Sequence, residues 1–558
     1  MTNLRFSILT PVYNPPVEAF RACAASVFAQ TATEWEWVLV DDRSTDPAVH
    51  AMLEEFARDE RVTVIRRTEN GGIVAATNDA LHAATGAFVA FLDHDDALTP
   101  DALSIVDEVL TSDDTIDYVY SDEDKIGPDG VHCDRFRKPA WSPERLRAQN
   151  YCCHLSVMRR SLVVELGGLR TGFDGAQDWD LTLRVTEVAR AIAHIPQVLY
   201  HWRMVVGSVA TDIEYKPYAL EAGRRAVAEH LERVGIDADL EVTEHLYVDV
   251  RRRLTARPKV SIIIPTNASR KRIWGQDVVL VEQCVASIAQ RSTYDDFEIV
   301  VVHDMVDESL LARLETLVPG RLVTVPYDRP FNFSEKINLG ALHSGGDHLL
   351  LLNDDTLVIT PEWIEVLVAH LEEPDVGMVG PKLLLADGRI QSAGHYFRFG
   401  AHHVAGQLAA DDPGPFGCLT FPAERTGLTM ACVMVPRALF SAVGGLTTDL
   451  PGAFNDVDFG NKLVEHGYRL IWTPHASLYH FESLTRDPTV PKEHIVRIYQ
   501  RWGHLLDAPD RYLPWFSYQV AGLAYIDDER LLTTVLDSAH HTSIPGLGEI
   551  SVEMLPKD

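Results

Sequence analysis

The sequence is poor in positive charge: 50 lysines and arginines stand against 81 aspartates and glutamates, a formal charge of −31 over 558 residues. That deficit argues against nucleic acid as a partner and against unaided docking on anionic lipid, because both attract basic patches. Cysteine is scarce too. The seven residues, Cys23, Cys133, Cys152, Cys153, Cys284, Cys418 and Cys432, are odd in number and contain no CxxC pair. This argues against a zinc ribbon or a disulfide scaffold and indicates reduced thiols. Long hydrophobic runs are missing as well. Without an uncharged apolar stretch of about 18 residues no membrane span is expected, and the first apolar run reads as a strand rather than as the middle of a signal peptide. The expectation is a cytoplasmic chain, reaching the inner face of the plasma membrane only peripherally and through other proteins.

What is present is enough apolar material, 46%, for two large domains, and one unit written twice with a period of about 250 residues. SILTPVYN at 7–14 is answered by SIIIPTNA at 261–268, WVLVDD at 37–42 by EIVVVHD at 298–304, and FLDHDD at 91–96 by LLNDDT at 351–356. GAQDWDLTLRV at 175–185, followed by IPQVLYHWR at 195–203, has its counterpart in GAFNDVDF at 452–459 and TPHASLYHFES at 473–483. The predicted domains are 1–255 and 256–505, followed by a helical or irregular extension over 506–558. The fold class is α/β, each unit a mostly parallel sheet flanked by helices.

Within a unit, strand-like runs at 5–12 and 35–40 flank a stretch with helical spacing at Phe20, Cys23, Val27 and Phe28. A strand, helix, strand order with polar residues at the strands' C-terminal ends places a ligand crevice at those ends. Asp42 would sit there to grip a base or ribose, or else serve as a helix N-cap. Glu69-Asn70-Gly71-Gly72 opens the helix that carries Asn78, and glycines there either let backbone N–H groups approach a phosphate or make an ordinary turn. In the second half, FNFSEKIN puts Lys336 and Asn338 at a helix start, where the lysine either neutralises a diphosphate or is a solvated charge.

Asp93-His94-Asp95-Asp96 and Asn353-Asp354-Asp355 each close an apolar strand. Such carboxylates repel one another unless a cation is present, and oxygen ligands of this kind suit magnesium or manganese that also holds phosphate oxygens. An isolated acidic cluster is usually a solvated loop; the strand context and the second copy favour the cation. Acidic residues at a helix start (Asp178; Asp456 with Asp458) precede strands ending in His201 and in His480 and Glu482. A carboxylate beside an imidazole suits an acid/base group next to a metal ligand. The polar region 121–150 is expected to frame an acceptor site. Residues 387–430, rich in glycine, aromatics and histidine without a period, suggest a lid or binding segment; their histidines, His395, His402 and His403, do not read as a metal site.

These motifs resemble the family-two glycosyltransferases with the nucleotide-sugar-binding GT-A fold, twice over. TPVYN, VDDRSTD, FLDHDD, QDWDL and LYHWR carry the likeness in the first half; SIIIPT, FNFSEKIN, LLNDD, VGMVGPKLL, DGRIQSAG, FNDVDF, HGYR and TPHASLYHFES carry it in the second. The series is similar to tandem enzymes that build bacterial surface polysaccharide such as O-antigen or rhamnan-type chains. The resemblance implies metal-dependent, inverting transfer from a UDP-, dTDP- or GDP-sugar to an oligosaccharide or lipid-linked glycan. It implies two active halves; the alternatives are the second half alone with the first as acceptor scaffold, or a sugar-binding module without turnover. By the same resemblance Asp178 and Asp456 are the catalytic bases. Pro11, Asp42, Asn78, Asp93, Pro265, Asp304, Lys336, Asn338, Asn353 and Asp354 contact the nucleotide sugar. Asp93, Asp95 and His201 hold the Mn2+ or Mg2+ ion of the first half, and Asp355 and His480 that of the second.

Overall fold

The computed structural model describes residues 4–204, 217–243, 247–304, 306–481 and 490–514. The chain divides into two compact units, Met1–Val250 and Arg251–Asp558, a few residues ahead of the expected boundary.

In the first unit the strands are β1 (Phe6–Val12), β2 (Trp35–Asp41), β3 (Val62–Arg66), β4 (Phe88–Phe91), β5 (Ala97–Leu98), β6 (Ile116–Ile126), β7 (His132–Phe136), β8 (Ser156–Arg159) and β9 (Ala191–Arg203). They form one sheet in the order β3-β2-β1-β4-β8-β6-β9-β5, with β7 on β6. Pairing among β3, β2, β1 and β4 is parallel, whereas β8 runs antiparallel to both neighbours. The near-continuous apolar character of β1 and β2 follows from burial on both faces, as parallel sheets require. Helix Val17–Phe28 lays Phe20, Cys23, Ala24 and Val27 on that sheet, one stripe at helical spacing.

The second unit repeats this order strand for strand: 322–326, 297–303, 260–266, 348–352, 432–436, 376–384, 469–480 and 356–358. Both units therefore have the GT-A architecture, a mixed sheet whose parallel half ends at the candidate crevice.

Within the stretch 121–150, expected to frame an acceptor site, the run 121–126 continues β6 largely in the interior, where Asp122 meets His194 at 2.8 Å and Glu123 meets the buried Lys138 ammonium at 2.9 Å. Apolar strands tolerate these charges because each is paired. The extension expected from 506 is described as far as residue 514, and its start packs on the second unit. Helix Lys492–Leu506 buries Ile498, Trp502 and Leu506 against Leu450 and Val457 of the second unit. Asp510 then accepts from Phe397 N at 2.7 Å and Thr426 Oγ1 at 2.6 Å. Residues 515–558 and Glu482 lie outside the described residues. Among the described residues no helix is long and apolar enough to cross a membrane.

Candidate active site

In the second unit the strand His348–Leu352 delivers Asn353-Asp354-Asp355 to the sheet edge. The next residue, Thr356, pairs directly with His480 on the long neighbouring strand. His480 Nε2 lies 3.2 Å from Asp355 Oδ1 and 3.2 Å from Asn353 Nδ2, while its Nδ1 lies 2.8 Å from Gln391 Oε1. With Nδ1 donating to Gln391, Nε2 accepts from Asn353 Nδ2 and lies beside a carboxylate oxygen, an imidazole and carboxylate pair of the kind that a cation can bridge. Adjacent ligands of an octahedral ion with bonds of ~2.1 Å stand about 3 Å apart, so Asp355 and His480 fit a divalent ion. Asp354 accepts from Thr266 Oγ1 at 2.6 Å, and burial pushes its carboxyl up to about 7. These groups line a cavity of about 530 Å³ shared with Pro265, Asp304, Lys336 and Asp456, within the range of small-molecule sites.

Asp456 arrives there by helix geometry. Helix Asn455–Glu465 is entered through Phe454 at φ 61°, a left-handed conformation rare for a bulky side chain and typical of functional sites. Two residues along a helix rotate by about 200°, so Asp456 and Asp458 leave on opposite sides. Asp456 faces the cavity. Asp458 is fully buried, accepting from Thr447 Oγ1 (2.6 Å) and Trp502 Nε1 (2.9 Å) and paired with Arg501 (2.8 Å). The first unit divides its pair the same way: Asp178 faces a pocket, bonded by Asn150 Nδ2 at 2.8 Å, and Asp180 is buried against Arg184 at 2.8 Å and Arg170.

Several expected donor contacts are engaged elsewhere. Asn78 receives Leu169 N at 2.9 Å and donates to Leu169 O at 2.8 Å; Asn338 makes the same pair with Leu446 at 2.9 and 2.8 Å. Each carboxamide copies a peptide edge and clamps the Gly-Gly-Leu turn ahead of the acid-bearing helix, so neither lines its cavity. Gly168 and Gly445 have positive φ, and a Cβ on either would collide with that carboxamide oxygen. Asp42 accepts from Gly71 N (2.9 Å), Gly72 N (2.8 Å) and Arg67 (2.7 Å). It caps the very glycines expected to approach a phosphate, which is the helix-capping alternative at a different helix. Asp304, its counterpart, instead pairs with Lys336 Nζ at 2.5 Å. Lys336 is buried, also donating to Thr266 O at 3.1 Å, and is no solvated helix charge.

The metal set expected in the first unit does not assemble. There His201 pairs with Ala97, two residues after Asp95, where the second unit pairs His480 one residue after Asp355. A one-residue slip sends a strand side chain to the opposite face. His201 accordingly turns away to Asp124 Oδ1 at 2.6 Å, and the buried Tyr200 beside it donates to Asp96 Oδ2 at 2.5 Å. Asp95 is absent from the pocket wall; Asp93, Pro11, Asp178 and His154 line it. Asp93, Asp96 and His154 bring ligand atoms within 4.8 Å of one another, His154 stacking on Tyr200 at 4.6 Å. Burial raises the carboxyls of both Asp93 and Asp178. The pocket measures about 90 Å³.

Residues 7–167 and 261–399, more than half of the chain, match the profile of Glycosyl transferase family 2. The chain belongs to that family. It is 40% identical over 491 residues to the uncharacterized protein y4gI of Sinorhizobium fredii, covering 86% of this chain and 53% of that protein. It is 35% identical over 485 residues to the O-antigen biosynthesis protein RfbC of Myxococcus xanthus, covering 86% of this chain and 37% of that one. The chain thus spans about half the length, or less, of these relatives. S. aureus TarS 1–349 in complex with UDP-GlcNAc aligns with 23% identity and a TM-score of 0.35, covering 41% of this chain and 66% of that one.

In this family 2 member the aperiodic segment 387–430 closes one wall of the larger cavity, contributing Gln391, His403, Thr429 and Met430. Gln391 and Thr266 escaped the residue-level reading, although both stand inside quoted motifs; His154 had no sequence signal. The strands His395–Phe397 and Ala401–His403 build this wall. Burial, with the neighbouring His402, pushes the fully enclosed His395 down to about 4. Since the unfolded chain takes up that proton near pH 6.5, stability is present above pH 6.5 and lost as pH falls toward 4. Between pH 7 and 4.5 the protein should lose about 2 to 3 kcal/mol more than a His395→Gln variant does. Urea unfolding at the two pH values measures this, and equal losses would acquit His395.

Proposed function

We propose that this chain transfers a sugar from a nucleotide-diphosphate donor to a growing bacterial surface glycan, and that the second unit carries the transfer. The observation behind this is that Asp355, His480 and Asp456, remote in sequence, share one cavity of about 530 Å³. Asp355 and His480 would hold a divalent metal ion, manganese or magnesium, which when bound offsets the charge that develops on the departing diphosphate. Lys336, buried at the same wall, adds fixed positive charge on the donor side. Asp456 takes the proton of an acceptor hydroxyl while that oxygen attacks the anomeric carbon from the face opposite the nucleotide. A single displacement of this kind inverts the anomeric configuration, by analogy with one-step glycosidases. The name of the Myxococcus relative, an O-antigen biosynthesis protein, supports the acceptor class.

The small pocket of the first unit, the turned-away His201 and the capped glycines favour a supporting role there, in acceptor binding. A two-site reading draws on the convergence of Asp93, Asp178 and His154. Calorimetric titration of the whole chain with UDP, dTDP and GDP in the presence of manganese separates the two. One nucleotide per chain, weakened tenfold or more by Asp355→Asn and unaffected by Asp93→Asn, is the expected result. Two equivalents would establish the two-site reading, and metal-dependent binding untouched by Asp355→Asn would end the present one.

A further inference from the structure

The slip that removes His201 from the cleft delivers it to another group of ligating side chains. Asp124 stands beside His201 where β6 and β9 run parallel, and β7 folds back on β6 to bring His132 over both. Asp124 Oδ1 lies 2.6 Å from His201 Nδ1, and Asp124 Oδ2 lies 3.0 Å from His132 Nδ1. The two imidazole rings meet edge to face with centroids 4.3 Å apart. The three ligand atoms all fall within 4.8 Å of one another. The adjacent Lys125 is paired with Asp134 at 3.1 Å.

We propose that Asp124, His132 and His201 form a zinc-class metal site on the face of β9 opposite the cleft, pinning the β6–β7 hairpin to the sheet. Two imidazoles and one carboxylate from three strands are the donor set that zinc, cobalt or nickel prefers; magnesium and manganese favour sets richer in oxygen. Bonds of ~2.0–2.1 Å around a tetrahedral ion set neighbouring ligand atoms about 3.3 Å apart, so the present spacing opens to admit an ion with small rotations of the carboxylate and rings. Cys133 does not join, because alternate residues of β7 point to opposite faces. His132 is half-exposed, which leaves the fourth position open to water. Neither Asp93 nor Asp178 takes part, so the site is independent of sugar transfer.

A carboxylate hydrogen-bonded between two neutral imidazoles would give similar distances, and metal binding distinguishes the cases. The full-length protein, stripped by a chelator, is titrated with zinc against a chromophoric competitor, and separately with cobalt(II) while its visible absorption is followed. Wild type should bind one zinc more than His132→Ala, or bind it at least tenfold more tightly. The cobalt bands of a low-coordinate nitrogen and oxygen site should vanish in that variant. His132→Gln, which preserves a polar side chain at the exposed edge, should show the same loss with an unchanged far-ultraviolet spectrum. Equal stoichiometry, affinity and cobalt spectra in wild type and both variants would overturn the proposal. Because His132 touches none of the cleft groups, failure here leaves the transferase reading intact.

Discussion

Replacing Asp456 by asparagine is expected to slow sugar transfer by about 10²- to 10⁴-fold, ~3 to 5 kcal/mol of barrier, with the fold and donor affinity preserved. Asparagine keeps the shape of the side chain and can still accept from Val457 N, a bond Asp456 Oδ1 makes at 2.9 Å. What it loses is basicity. Asp456 is the carboxylate that the start of helix Asn455–Glu465 presents to the cavity it shares with Asp354, Asp355 and His480. Nucleotide release in the presence of acceptor reads the rate, and UDP titration reads donor binding. A variant retaining more than a tenth of the wild-type rate would remove Asp456 from the role of base. The matching Asp178→Asn change should leave transfer within a few-fold if the first unit only supports the acceptor.

The other large effect belongs to the partner acid. Asp458→Ala should destabilise the protein by about 3 to 5 kcal/mol, the usual cost of removing one member of a buried ion pair. Its carboxylate is wholly enclosed, and its loss strands the Trp502 indole N–H and leaves the Lys462 ammonium, 3.5 Å away, without its counter-ion. Burial already holds Lys462 below the usual lysine range, so that charge cannot be left unpaired cheaply. Asp458→Asn, which retains one acceptor for Trp502, should cost less than the alanine change. Urea unfolding of both variants tests the ordering. A loss below about 1 kcal/mol for Asp458→Ala would mean that helix Lys492–Leu506 is not anchored through this residue. Activity should fall with stability in Asp458→Ala, whereas in Asp456→Asn the two should separate.

These contrasting outcomes show why an acidic pair in a string of letters is ambiguous. Asp456 and Asp458 look equivalent in sequence, and only the helix, rotating about 200° between them, sends one to the cavity and the other to the core. Asn78 and Asn338 read from sequence as nucleotide-sugar contacts and not as clamps, because the turns they hold, ending at Leu169 and Leu446, are about a hundred residues away in the chain. The charge-rich run at 121–126 reads from sequence as part of an acceptor frame, and its lodging largely in the interior was not legible, since Lys138 and His194 arrive from elsewhere to pair with it.

The sequence by itself determined the duplicated α/β plan, the strand ends that bear Asp93 and Asp354, and the acid-to-histidine spacing of each half. Hydrophobic period and strand-end polarity are local properties, and a repeat is visible without coordinates. The tertiary structure decided which half has an open cavity and which imidazole meets the carboxylates. The choice of imidazole hangs on a single residue of register between β5 and β9 against its counterpart in the second unit, and because strand side chains alternate faces, one step of slip turns His201 outward while His480 stays in.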